Sequence, residues 1–177
     1  DAEEEIPDPA SPAVLEKAKG HIAFRHVSFG YRPDQLLMKD ISFEAMPGQK
    51  IAVVGSTGAG KTTLVNLLMR FYEIDRGAIT VDGVNAAQMT RSGLRRNFGM
   101  VLQDTWLFSG TVAENIAYGK PDATREEIIA AAKAAKVDYF IRTMPHGYDT
   151  MLDNEAANLS AGQRQLITIA RVFLCNP

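Results

Sequence analysis

Apolar residues fall along this chain in two regimes. Up to about residue 102 they come in short alternating or β-branched runs, and beyond it they recur at helical spacing. Ile22, Phe24, Val27 and Phe29 predict a strand that closes at Gly30-Tyr31. Leu36 to Met46 predicts a second, with Ile41, Phe43 and Ala45 alternating against polar neighbours and Pro47-Gly48 making the turn after it. Lys50-Ile-Ala-Val-Val54 reads as a short buried strand, and Leu64, Leu67, Leu68 and Phe71 lie on one stripe of a helix. Ala78 to Val81 with Asp82-Gly83 predicts a strand and tight turn, Ser92 to Asn97 a short helix, and Phe98 to Leu102 another buried strand. After Gln103 the pattern is helical at Val112–Tyr118, Arg125–Lys136 and Asp138–Arg142. Asp122-Ala-Thr124 offers caps for the middle helix, whose first turn carries Glu126 and Glu127. Leu159 to Leu174 forms a last helix, with Leu166, Ile169, Ala170 and Phe173 predicted on its packed face. Strands followed by a run of helices predict an α/β chain with a sheet-based core and a helical insertion.

Composition adds boundaries to that pattern. At 177 residues and 46% apolar, the chain is one domain's worth with enough material for a core. A net charge of −2 gives no pull toward nucleic acid. The single cysteine, Cys175, excludes an internal disulfide, and the histidines His21, His26 and His146 are too scattered for a metal site. No apolar run approaches the length of a membrane span. Residues 1–12 hold five acids, three prolines and no base, which reads as a linker following some earlier segment.

Two helix starts carry candidate chemistry. Gly55-Ser56-Thr57-Gly58-Ala59-Gly60-Lys61-Thr62-Thr63 fits G-x-x-x-x-G-K-[ST] between a predicted strand and a predicted helix. Glycines let backbone N–H groups turn inward around phosphate oxygens, and the helix N-terminus adds partial positive charge. Lys61 is placed to reach the β- and γ-phosphates and the Thr62 hydroxyl to hold Mg²⁺, so the stretch predicts a nucleoside triphosphate site. The second start is Leu159-Ser160-Ala161-Gly162-Gln163, where Ser160 and Gln163 have capping-box spacing. The same residues, with a hydroxyl and a glycine at a helix N-terminus, also suit a second anion site.

With these motifs in hand, the chain resembles the nucleotide-binding domain of ABC transporters, exporter type, from about His21 onward. Gly55 to Thr63 corresponds to Walker A and Leu159 to Gln163 to the signature motif, with Ala161 departing from the usual glycine. Gln103, in Val-Leu-Gln-Asp, resembles the Q-loop, and Tyr31 resembles the aromatic that stacks on adenine. Asp104 to Gly110 and Gly147-Tyr-Asp149 resemble the exporter branch.

The resemblance implies a P-loop NTPase fold: a mixed sheet with parallel core strands, an antiparallel β subdomain, and an inserted α-helical subdomain at about 104–165. Residues 1–20 then read as the acidic linker from a transmembrane domain, and 21–177 as an incomplete nucleotide-binding domain. It implies ATP and Mg²⁺ as ligands, Lys61 and Gln103 as catalytic residues, Thr62 and Gln103 near the metal, and Tyr31 with Gly55 to Thr63 around the nucleotide. Ser160, Ala161, Gly162 and Gln163 would serve the nucleotide of a second such domain, paired head to tail. The partners implied are that domain, as a homo- or heterodimer, and the transmembrane part of the same transporter, at the cytoplasmic face of the membrane. The chain stops at Pro177, before the Asp-Glu strand that positions water in this family, so these residues alone are expected to be soluble and to bind ATP without turning it over. The alternatives are a poorly hydrolysing partner of a heterodimeric exporter and a soluble or importer ABC ATPase. Trp106 and Phe108 fit either a contact with a membrane-domain helix or a local core, and Arg95 and Arg96 read as surface charge.

Overall fold

The computed structural model describes residues 5–32, 34–102, 105–153 and 158–177. They divide into two units, one running to Phe98 and one spanning Gly99–Pro177. In the first, the alternating run forms β1 (Ile22–Phe29) at the middle of an antiparallel sheet. It pairs on one side with β2 (Met38–Ala45) and on the other with β3 (Arg76–Val81), which pairs in turn with β4 (Val84–Asn85). Phe24 sits opposite both Phe43 and Ile79, and the Phe24 and Phe43 rings stack at 4.6 Å. Val27, Phe29, Val81 and Leu67 of α1 (Lys61–Leu68) complete that core with Leu94 of α2 (Arg91–Arg95). The β3–β4 turn is the predicted Asp82-Gly83 pair, with φ of 49° and 81°. Two successive positive φ values are what a two-residue hairpin turn of the strand's own twist requires.

Residues 5–20 lie against this unit. The Ala13 N–H donates to Gln88 O at 2.7 Å, and the Asp82 carboxylate accepts from the N–H groups of Lys19 and His21. Arg91 donates to Ile6 O at 2.8 Å, to Asp8 at 3.2 Å and to Glu73 at 3.0 Å. Glu73 also accepts from Arg70, which is only 6% exposed and donates in addition to Met89 O. The acidic composition conceals this docking because polar contacts rather than apolar periodicity make it.

Two expectations need correction. The strands predicted at 50–54 and 98–102 carry no ladder among the described residues, whose paired strands are all antiparallel. Ile51, Val53, Val101 and Leu102 are exposed, and Val54 is 87% exposed. An apolar run reports that a segment suits burial, whereas a strand needs a neighbour's N–H and C=O groups. The stripe on α1 is also shorter than predicted. The helix ends at Leu68, and Phe71 lies exposed beyond it under the Arg95 guanidinium, 4.6 Å from the ring centre.

The second unit holds β5 (Gly110–Thr111), paired antiparallel with β6 (Met151–Leu152), and four helices. These are α3 (Val112–Ala117), α4 (Arg125–Ala134), α5 (Asp138–Thr143) and α6 (Ala161–Cys175). Ile116, Val137, Ile141, Ile167 and Ala170 are fully buried at its centre. The packed face of α6 carries Ile167, Ala170 and Leu174, with the predicted Leu166 and Ile169 partly buried against the same core, while Phe173, predicted inside, is exposed. Apolar residues at 166, 167, 169, 170, 172, 173 and 174 nearly encircle the helix, so periodicity alone leaves its rotation free by one residue. Among the described residues no helix is long and apolar enough to cross a membrane.

Candidate functional site

The glycine-rich loop ends at Gly60, which caps α1 with φ 85° and ψ 13° and no side-chain hydrogen bond. A side chain here would be strained by that backbone and would press on Met38 Cε at 3.0 Å. No acid lies in the first turn of α1, so the positive end of the helix is left uncompensated. Lys61 folds back over the loop and donates from Nζ to Gly55 O at 2.7 Å and Ser56 O at 2.8 Å. The Ala59 N–H donates to Ser56 O, closing the loop on itself. Thr57, Gly58, Gly60, Lys61, Thr62 and Thr63 line an open cavity of about 440 Å³ together with Tyr31 and Leu37. Thr62 is exposed and Thr63 buried.

Tyr31 is 54% exposed, and its hydroxyl shares a 2.9 Å hydrogen bond with Thr63 Oγ1. Its ring stands nearly perpendicular to Phe29, at 5.0 Å and 82°, and to Tyr72, at 5.1 Å and 86°. A basic, uncapped helix start with an aromatic ring beside it can hold phosphates on its backbone N–H groups and a flat ring against the aromatic. Sequence reasoning missed Leu37 and Tyr72. Leu37 reads as part of a strand, and Tyr72 follows the helix in a stretch with no motif. Its only signal is an aromatic placed where the apolar stripe stops.

Among the described residues no cluster of three or more His, Cys, Asp or Glu could hold a metal ion. A hard cation here would rest on the Thr62 hydroxyl and on oxygens brought by a ligand, which suits Mg²⁺ held together with phosphates. Gln103, predicted near the metal, lies outside the described residues.

The second helix start is built as its spacing predicted. Ser160 Oγ accepts from the Gln163 N–H at 3.2 Å, and Gln163 Oε1 accepts from the Ser160 N–H at 2.8 Å. The serine hydroxyl therefore acts as an acceptor and keeps its own hydrogen for another partner. Ala161 and Gly162 are exposed, and open space surrounds the Gly162 Cα. Arg164 fixes the turn before the helix by donating to the buried Leu159 at its O, 2.7 Å away.

Two other helix starts in this unit carry the same reciprocal box with glutamate as its third residue, Thr111–Glu114 on α3 and Thr124–Glu127 on α4. Hydrogen bonds from the Thr111 backbone and hydroxyl hold the Glu114 carboxyl below its ordinary range. The ammonium of Lys120, then the Thr124 N–H, does the same for Glu127. Walker-type and signature-type residues thus lie in different units, Gly55 to Thr63 in the first and Ser160 to Gln163 in the second.

Comparison with known proteins gives this arrangement a setting. The family model described as ABC transporter matches residues 38–177. The chain is 54% identical, over its whole length, to a fatty acid ABC transporter ATP-binding/permease protein of Mycobacterium bovis, of which it covers 28%. It is 47% identical over 161 residues to an ATP-dependent lipid A-core flippase of Legionella pneumophila, covering 91% of this chain and 27% of that protein. A solved structure of a bacterial Atm1-family ABC exporter with ATP bound matches 98% of the chain and 30% of its own length, at 40% identity and a TM-score of 0.92. The chain therefore spans under a third of the length of these relatives.

Proposed function

Since the chain belongs to the ABC transporter family, sharing its P-loop fold with an ABC exporter, we propose that it binds ATP with Mg²⁺ in the loop cavity and couples that binding to export across a membrane. The observation that carries the reading is the uncapped, acid-free start of α1 with the Lys61 ammonium folded over the loop carbonyls. In this reading Lys61 exchanges its bonds to Gly55 O and Ser56 O for phosphate oxygens. Backbone N–H groups from Ser56 to Thr63 cradle the phosphates, and Thr62 offers its hydroxyl to Mg²⁺. Tyr31 takes the base, and Gln103 meets the γ-phosphate and metal.

Ser160, Ala161, Gly162 and Gln163 act on the nucleotide of a second, head-to-tail domain. Residues 1–20 connect to a transmembrane partner, the helical part lies at about 104–165, and the whole sits at the cytoplasmic face. Relatives named for fatty acid and lipid A-core transport support an exporter. Among the described residues, those lining the cavity include no carboxylate to orient water. We therefore assign nucleotide binding to residues 1–177 and do not assign ATP turnover to them alone.

Titration of the chain with MgATP tests this. Wild type binds saturably, and Lys61→Ala weakens binding about tenfold to a hundredfold, the worth of one charge-assisted contact. Equal affinity in wild type and variant overturns the assignment.

A further inference from the structure

We propose that Tyr72 is a positioning residue that acts through Tyr31 to set how tightly the site holds a nucleobase. The inference rests on the nucleotide-binding reading above and adds a residue to it. Tyr72 lies beyond the end of α1, on the segment leading to β3, and is itself 45% exposed. It therefore contributes little as a core residue, yet it stands perpendicular to Tyr31 at 5.1 Å and tilted against Phe29 at 5.8 Å. Phe29, the last residue of β1, is buried and anchors the group. Perpendicular rings set the positive edge of one against the negative face of the other, a geometry with directional preference as well as contact area.

Tyr31 is thus held at three points: by Phe29, by Tyr72, and through its hydroxyl by Thr63 in the first turn of α1. An exposed aromatic on a loop ordinarily loses side-chain freedom when a ligand stacks on it, and that loss subtracts from affinity. Here the loss is largely taken in advance, and the ring already lines the same cavity as Lys61. The Thr63 bond also ties the ring to the phosphate loop, so platform and cradle keep a fixed separation. Removing Tyr72 frees one side of the ring and leaves the loop, Lys61 and Thr62 untouched.

The test compares two ligands on the full chain by calorimetric titration with Mg²⁺ present: ATP, and inorganic tripolyphosphate, which has no base. For Tyr72→Leu the ATP dissociation constant rises about threefold to tenfold, the effect of one edge contact, while that for tripolyphosphate stays constant. Tyr72→Phe restores wild-type ATP binding, since the ring rather than its hydroxyl is what acts. Tyr72→Met serves as a second variant should the leucine form fail to fold. Equal weakening for both ligands identifies a structural role and overturns the proposal, as does unchanged ATP affinity. Binding of neither ligand by the wild-type chain overturns the nucleotide-site reading itself, and this inference with it.

Discussion

Arg91 is the residue on which the docking of the N-terminal segment turns, and Arg91→Ala tests it. The guanidinium is 13% exposed and spans Glu73, the Ile6 carbonyl and Asp8. A hydrogen bond to a charged group contributes about 1.5–3 kcal/mol, and an exposed pair under about 1 kcal/mol. The substitution leaves no bare charge behind. Glu73 keeps its 2.8 Å bond from Arg70, and Asp8 still accepts from the Arg91 backbone N–H at 3.1 Å. The cost is therefore set by the Glu73 bond with small additions from Ile6 and Asp8, about 2–3 kcal/mol in total. Local opening of residues 5–20 then rises about thirtyfold or more. Hydrogen exchange at the Ala13 amide, which donates to Gln88 O, reads this directly. Arg25→Ala is the control, because its 3.3 Å pair with Glu44 is exposed on both sides and its loss moves exchange very little. Unchanged protection at Ala13 in Arg91→Ala refutes the reasoning and returns the segment to a slack tether.

Two further predictions concern the second unit. Ser160→Ala removes the cap of α6 and lowers stability by about 1 kcal/mol, whereas Ser160→Asn keeps most of it, as a urea titration of each variant measures. Asp138 supplies a pH dependence. Burial alone would raise its pKa, but the hydrogen bonds from Tyr148 Oη at 2.7 Å and Arg142 Nε outweigh that and hold it below the ordinary aspartate value. Its stabilisation is therefore full above about pH 5, a unit over the ordinary aspartate value, and is lost as pH falls through the lower folded value. Melting temperatures of wild type and Asp138→Asn should converge between about pH 5 and pH 2, and a constant gap would contradict this linkage. The same pair acts oppositely at the alkaline end, where burial and then the Asp138 carboxylate push the Tyr148 phenol above its usual range.

What could be read from the sequence depended on how local the signal was. The helix start after the glycine-rich loop, the Asp82-Gly83 turn and the caps at Thr124 and Ser160 are each written within a few residues, and their geometry followed. On α6 the predicted Leu166, Ile169 and Ala170 do pack against the core and only Phe173 does not, because apolar residues nearly encircle the helix. The strands predicted at 50–54 and 98–102 depended on partners that local patterning cannot supply. Tyr72 and Arg91 were hidden for a related reason. One earns its place by meeting Tyr31, and the other by meeting Asp8, and neither neighbour is near it in sequence.

The three capping boxes of the second unit differ in one atom type, and the difference has an electrical consequence. On α3 and α4 the third residue is a glutamate whose carboxylate sits on the helix start and largely cancels its field. On α6 that place is taken by Gln163, whose amide makes the same hydrogen bond but brings no charge. Of these three helix starts, α6 alone is thus closed mechanically while its potential stays open. A single exchange of nitrogen for oxygen, Gln163→Glu, would leave the fold of that turn as it is and make it repel whatever anion comes to it.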